Sequence, residues 1–162
     1  MKTIDHDLRY DGARADQVHE MLADPAFRER VLDAQGVLGR TVTITPSGAG
    51  MSVVLDQTQA TRGMPGFAKK LVGDTVNVVQ REEWSSATEG TVSVVVPGRP
   101  GEMKGRVTLA EDATGTTENV RLEVKVSIPL VGGKLEGLVA GLLTKALRAE
   151  NTVGREWLGR QG

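Results

Sequence analysis

The chain has no cysteine. That excludes disulfides, cysteine-ligated zinc, iron–sulfur clusters and thiol nucleophiles, and it leaves the redox compartment unmarked. Aromatic residues are scarce as well. Two Trp, one Tyr and two Phe make up 3% of the sequence, too few for a platform on which bases stack. An excess of charge of either sign is also missing. Twenty Lys+Arg against 21 Asp+Glu give a net charge of -1, so a phosphate-binding face, and with it a nucleic-acid partner, is not expected. The two histidines, His6 and His19, are too few for a histidine metal site, and no metal or cofactor is expected. G-x-S-x-G, Walker A and H-E-x-x-H motifs are all absent. No apolar run approaches the ~20 residues of a spanning helix. The segment Met1–Asp7 lacks the apolar stretch of a signal peptide. Asn77, Asn119 and Asn151 lie outside glycosylation sequons. A cytoplasmic location is the expectation.

What is present is periodicity. The 162 residues suit one domain, 1–162, able to bury roughly 68–70% of its unfolded surface. Residues 3–10 alternate, with Ile4, His6, Leu8 and Tyr10 on one face, as in a half-buried strand. After the Asp11-Gly12 turn, Ala15, Val18, Met21 and Leu22 fall at helical spacing. Asp24-Pro25 breaks that helix and starts another, striped by Phe27, Val31 and Leu32 and ending near Gly36. Six strand patterns follow, near 41–45, 51–60, 75–84, 91–96, 102–110 and 120–128. Their short connections read as an antiparallel meander. The last is the clearest, with Val120, Leu122, Val124, Val126 and Ile128 on one face. The connection at 62–73 is longer, Gly-bounded and apolar, and loops of that length usually have a role or are disordered.

Beyond Pro129 the period becomes 3.6. Leu135, Leu138, Leu142, Ala146, Val153 and Trp157 belong to one broad apolar face. A helix of about 28 residues spans roughly 42 Å, and only a long sheet groove covers one face of it. The order β-α-α-β6-α therefore predicts an α+β fold: one antiparallel sheet of about seven strands, twisted and curled around the C-terminal helix.

This order resembles the START-like superfamily, also called the helix-grip or SRPBCC fold. The junction Ser127-Ile128-Pro129-Leu130-Val131-Gly132-Gly133-Lys134-Leu135-Glu136 and the helix closing in Glu156-Trp157-Leu158 carry the resemblance. They look like a family of uncharacterised function within that superfamily and are similar to the carbon monoxide dehydrogenase G group. The resemblance covers nearly the whole chain. It implies a cavity between sheet and long helix that holds an apolar small molecule. The aliphatic face of 120–128 opposite the Leu/Val stripe of the last helix makes non-catalytic binding or transport of a lipid, isoprenoid or polyketide-like molecule the leading expectation.

The residues supply candidates for such a site and alternatives to it. His6 on an apolar strand face is either a polar contact in the cavity or a core histidine bonded to nearby backbone. Gln57, Gln80 and Glu82 continue apolar faces into polar positions, at one end of a pocket or where strands twist out to solvent. Phe67 and Leu71 give the 62–73 connection an apolar side beside Lys69 and Lys70, which suits a lid, peripheral membrane contact, or packing on the sheet mouth. Val124, Leu138 and Leu142 are expected in the apolar lining. Gly133, Gly137 and Gly141 either leave room on the helix or let it pack close to the sheet. His19 is expected at the surface, and Trp84 and Trp157 as core or rim anchors. Two other functions stay open: a cyclase or isomerase using His6 and a cavity acid, and a protein-interaction module whose groove is filled by its own side chains.

Overall fold

Alternation, turn chemistry and one long apolar stripe are enough to build this architecture. A computed structural model describes residues 1–161. The elements are β1 (Lys2–Asp11), α1 (Ala15–Leu22), α2 (Pro25–Ala34), β2 (Gly39–Ser47), β3 (Gly50–Ala60), α3 (Gly66–Val72), β4 (Thr75–Trp84), β5 (Glu89–Val95), β6 (Glu102–Asp112), β7 (Gly115–Lys125) and α4 (Gly132–Gln161). Strands β2 to β7 form an antiparallel meander, and β1 closes it beside β7 in the order β1-β7-β6-β5-β4-β3-β2. This is the α+β helix-grip fold that the element order predicts.

The helical corner crosses from one sheet edge to the other. Its break is chemical: the Asp24 side chain accepts a 2.9 Å bond from the Ala26 amide, with Pro25 opening α2. An N-cap carboxylate satisfies a first-turn amide that has no partner inside the helix. Val18, Met21, Leu22, Phe27 and Val31 then enter the core shared with the sheet.

Helix α4 has 30 residues, about 45 Å, and packs against β1, α1, α2 and β7. Trp157 meets Phe27 edge-on with ring centroids 5.5 Å apart, which anchors its far end to α2. The close approach to the sheet is made at Gly154. A Cβ built there would lie 2.6 Å from the buried Tyr10 ring, whereas at Gly133, Gly137 and Gly141 it would meet nothing within 4 Å. Those three glycines therefore do not serve close helix–sheet packing.

Two segments depart from their patterns. The 62–73 connection is not all loop. It contains α3, with Ala68 buried and its base closed by a 2.6 Å bond from the Thr61 hydroxyl to the Gly73 carbonyl. Strand β7 ends at Lys125 although the alternation runs on to Ile128. Its neighbours stop there: Val124 pairs with Lys2, and Lys125 with Glu102. Without a partner strand, the Val126 amide donates instead to the Glu136 carboxylate of α4, at 2.9 Å.

The glycine contrast has a measurable consequence. Gly154→Ala drives a methyl into a fully packed ring and is expected to cost about 1–3 kcal/mol. Gly141→Ala, in the open middle of the helix, is expected to stabilise by roughly 0.5–1 kcal/mol. Urea-denaturation midpoints of the two variants should move in opposite directions.

Candidate functional site

A cavity of about 90 Å³ lies between the inner face of the sheet and helices α2 and α4. A single water needs about 10–15 Å³, so the space admits several water-sized groups. Its apolar wall comes from alternate strand residues such as Val92, Val107, Val120 and Leu122, with Leu143 and Leu147 from α4. Its polar wall includes Arg28 of α2, Gln35 just after α2, Gln57 and Gln59 of β3, Gln80 and Glu82 of β4, Glu118 of β7 and Glu150 of α4.

Arg28 and Glu82 form a two-pronged ion pair, both residues buried. Arg28 Nη1 and Nη2 donate to Glu82 Oε2 and Oε1 at 2.9 and 2.8 Å. Arg28 Nε donates to the Leu22 carbonyl at 2.7 Å, tying α2 back to α1. Glu82 also accepts from Gln80 Nε2 at 2.7 Å and Trp84 Nε1 at 2.9 Å. Burial pushes the Glu82 pKa upward, but Arg28 and these donors outweigh it and hold the carboxyl below its ordinary value. Burial likewise works against charge on Arg28, and Glu82 outweighs it.

Glu118 has the opposite environment. It is 3% exposed, and its Oε1 has no hydrogen-bond partner among the described residues. Burial, then the neighbouring Glu150, raises its pKa well above the ordinary carboxyl value, which favours its neutral form. Burial also pushes half-buried Glu150 up to about 7, against the pull of Arg28. The Tyr10 hydroxyl, buried nearby without a partner, is raised by burial and by these two acids.

Of the residues singled out by sequence, Gln57, Gln80 and Glu82 meet in this cavity. His6 shares the inward face of β1 and pairs with Val120, but it is half-exposed and outside the lining. Val124 is fully buried in the core beyond the cavity. Leu138 and Leu142 lie one position off the stripe that lines it. Leu143 and Leu147 take that role, and Leu142 is 41% exposed. Phe67 and Leu71 sit on α3, outside the lining. His19 is not free at the surface: its ring packs edge-on to Trp84 at 5.5 Å.

Arg28, Glu118 and Glu150 are lining residues that sequence patterns alone did not single out, and each carried a signal. Arg28 lies on the Phe27–Val31–Leu32 face. Glu118 continues the alternation of Val120 and Leu122 backwards. Glu150 follows Leu143 and Leu147 at helical spacing.

A family described as "Protein of unknown function (DUF2505)" matches residues 5–158. The chain belongs to this family. An uncharacterized protein of Mycobacterium tuberculosis, Rv0481c, is 25% identical over 114 residues, and the match spans 67% of this chain and 66% of that relative's length. Among solved structures, a START superfamily protein from Mycobacterium smegmatis is similar with a TM-score of 0.64 at 12% identity, covering 99% of both chains. The di-domain ARO/CYC BexL from the BE-7585A biosynthetic pathway is similar with a TM-score of 0.69 at 16% identity, covering 96% of this chain and 49% of that one. These likenesses place the DUF2505 chain in the START-like fold. They do not single out the carbon monoxide dehydrogenase G group.

The electrostatics give two expectations. Arg28→Met strands the Glu82 charge in the interior and should cost about 3–5 kcal/mol; Arg28→Met combined with Glu82→Leu should recover much of that, read as chemical-denaturation stability. The raised acids set a pH trend. Between the ordinary carboxyl value of 4.5 and the Glu150 value of about 7, the native state binds more protons than the unfolded chain, so stability falls as pH rises. A drop on the order of 3 kcal/mol from Glu150 alone is expected across that window, and Glu118→Gln with Glu150→Gln should flatten the profile.

Proposed function

We propose that this DUF2505 protein binds a small molecule in the cavity between sheet and α4, without transforming it. The observation that carries this is the Glu118 carboxyl: buried, unpartnered, and set in the wall of a space that holds several heavy atoms. Burying a polar group without a bond is costly, and a ligand with a polar group relieves that cost. The surrounding valines and leucines suit an apolar body, as in the mostly apolar pockets that take small molecules. The size favours a compact amphipathic molecule, or one end of a longer one such as a lipid, isoprenoid or polyketide. The resemblance to the carbon monoxide dehydrogenase G group is not needed for this reading. Membrane contact through residues 62–73 rests only on Phe67, 36% exposed, beside Lys69 and Lys70. No helix among the described residues is long and apolar enough to cross a membrane.

Binding is favoured over catalysis because Arg28 and Glu82 are committed to each other and His6 is outside the lining. One observation supports the enzyme reading: Glu150, pushed up to about 7, suits general acid–base work at neutral pH. The interaction-module reading with a filled groove is disfavoured by the cavity itself.

Native mass spectrometry of freshly purified protein is expected to show a small-molecule adduct, identified after organic extraction and absent from the cavity-filling variant Val120→Phe. A bare mass in the wild type, with no shift of cavity amides in NMR titrations of small alcohols and amines, would overturn the binding reading. Chemical change of the extracted compound on incubation with wild type but not Glu150→Gln would replace it with the enzyme reading.

A further inference from the structure

The cationic donors in the polar wall of the cavity are all engaged, while two of its acids lack a matched charge. Arg28 spends its Nε on Leu22 and both terminal nitrogens on Glu82. The Trp84 Nε1 and Gln80 Nε2 groups also go to Glu82, and Gln59 Nε2 goes to Gln57. Gln35 Nε2 goes to the Ala146 carbonyl of α4. Glu118 Oε1, by contrast, is buried without a hydrogen-bond partner among the described residues. Charge tells the same story. Four charged side chains line the cavity, three of them acids, and the one cation is matched to Glu82. Glu118 and Glu150 are left without a counter-charge.

Resting on the cavity-binding reading above, we infer that the occupant is a small organic cation. It is a primary or secondary amine whose ammonium sits between Glu118 and Glu150 and whose hydrocarbon body lies along Val120, Leu143 and Leu147. An ammonium brings donors and a positive charge, the complement of the unpartnered Glu118 oxygen and the two unmatched acids. A carbonyl or ether ligand could use the Gln57 amide or a neutral Glu118 hydroxyl, but it brings no charge to offset the two unmatched acids. No three His, Asp or Glu side chains among the described residues are grouped to hold a metal ion, so the cation this geometry suits is organic.

Glu118 is faced by Arg28 from α2, Glu82 from β4, Glu150 from α4 and Tyr10 from β1. In the free protein, burial and Glu150 both raise its pKa and so favour the neutral form. An incoming ammonium favours the carboxylate, so that proton leaves to solvent as the amine binds. Amine affinity therefore rises with pH across the neutral range, while an uncharged ligand of the same shape shows no such gain.

The test uses the full chain, labelled with nitrogen-15 and titrated with n-butylamine and with 1-butanol at pH 6 and pH 8, following the amides of Val120, Leu122 and Leu147. The expected result is that at pH 8 n-butylamine binds roughly tenfold tighter than 1-butanol, a preference that shrinks at pH 6. Glu118→Gln, which keeps shape and removes charge, should bind the two alike, and Glu150→Gln should weaken the preference. Equal binding of amine and alcohol by the wild type overturns the cation inference and leaves cavity binding standing. Binding of neither removes both. An amine preference unchanged in Glu118→Gln overturns the assignment to Glu118. A folded Glu118→Gln spectrum is expected because the native site already favours a neutral side chain.

Discussion

A guanidinium and a carboxylate have been taken out of water together, and the interior is arranged around them. Arg28 reaches from the helical corner across to β4, where Glu82 takes both of its terminal nitrogens, and its third donor returns to the end of α1. Removing two charges from water is costly, and only near-complete hydrogen bonding offsets it. Here it is near complete: Glu82 accepts four bonds from three residues. The pair therefore specifies more than it stabilises. Its bonds tie the end of α1 and the start of α2 to β4.

The second constraint is steric. Tyr10 is one of five aromatic residues, and its ring lies against α4 where Gly154 leaves room for it. One turn earlier on that helix is Glu150, and across the β1–β7 pair from Leu8 is Glu118. The contact that seats the long helix thus also brings two acids to one cavity. The short aliphatic side chains around them do not fill the space. Large rings elsewhere hold the ends: Trp157 against Phe27, and Trp84 beside His19.

Most of the fold is legible in the sequence because it rests on periods. Alternation in residues 3–10 and 120–124, the Asp24-Pro25 break and the long 3.6 stripe each map onto an element. The end of β7 is not legible, since the alternation of Val126 and Ile128 does not reveal that the neighbouring strands have run out. The site is legible in part for a similar reason. Gln57, Gln80 and Glu82 stand out as polar residues on apolar faces. Arg28 and Glu150 obey the same rule, but on helices, where a charge is ordinarily solvated and the apolar arc is broad enough to miss by one position. Leu142 and Leu143 show how narrow that margin is: adjacent residues on α4 lie about 100° apart, one exposed and one facing the cavity. That Arg28 meets Glu82, 54 residues away, is set by the crossing of the corner over the sheet, which no local pattern encodes.

Two carboxyls of the same cavity end with opposite chemistry. A guanidinium and two neutral donors lower the Glu82 pKa and favour its carboxylate, while burial and a neighbouring acid raise that of Glu118 and favour its neutral form. Environments that drive like groups apart in this way divide their roles. The saturated acid has no bond left to offer, and its charge is the partner that makes a buried Arg28 tolerable. The unsaturated one is buried with an oxygen that no described residue satisfies. Among the cavity acids it is therefore Glu118, rather than the more conspicuous Glu82, whose chemistry is free to change when something enters.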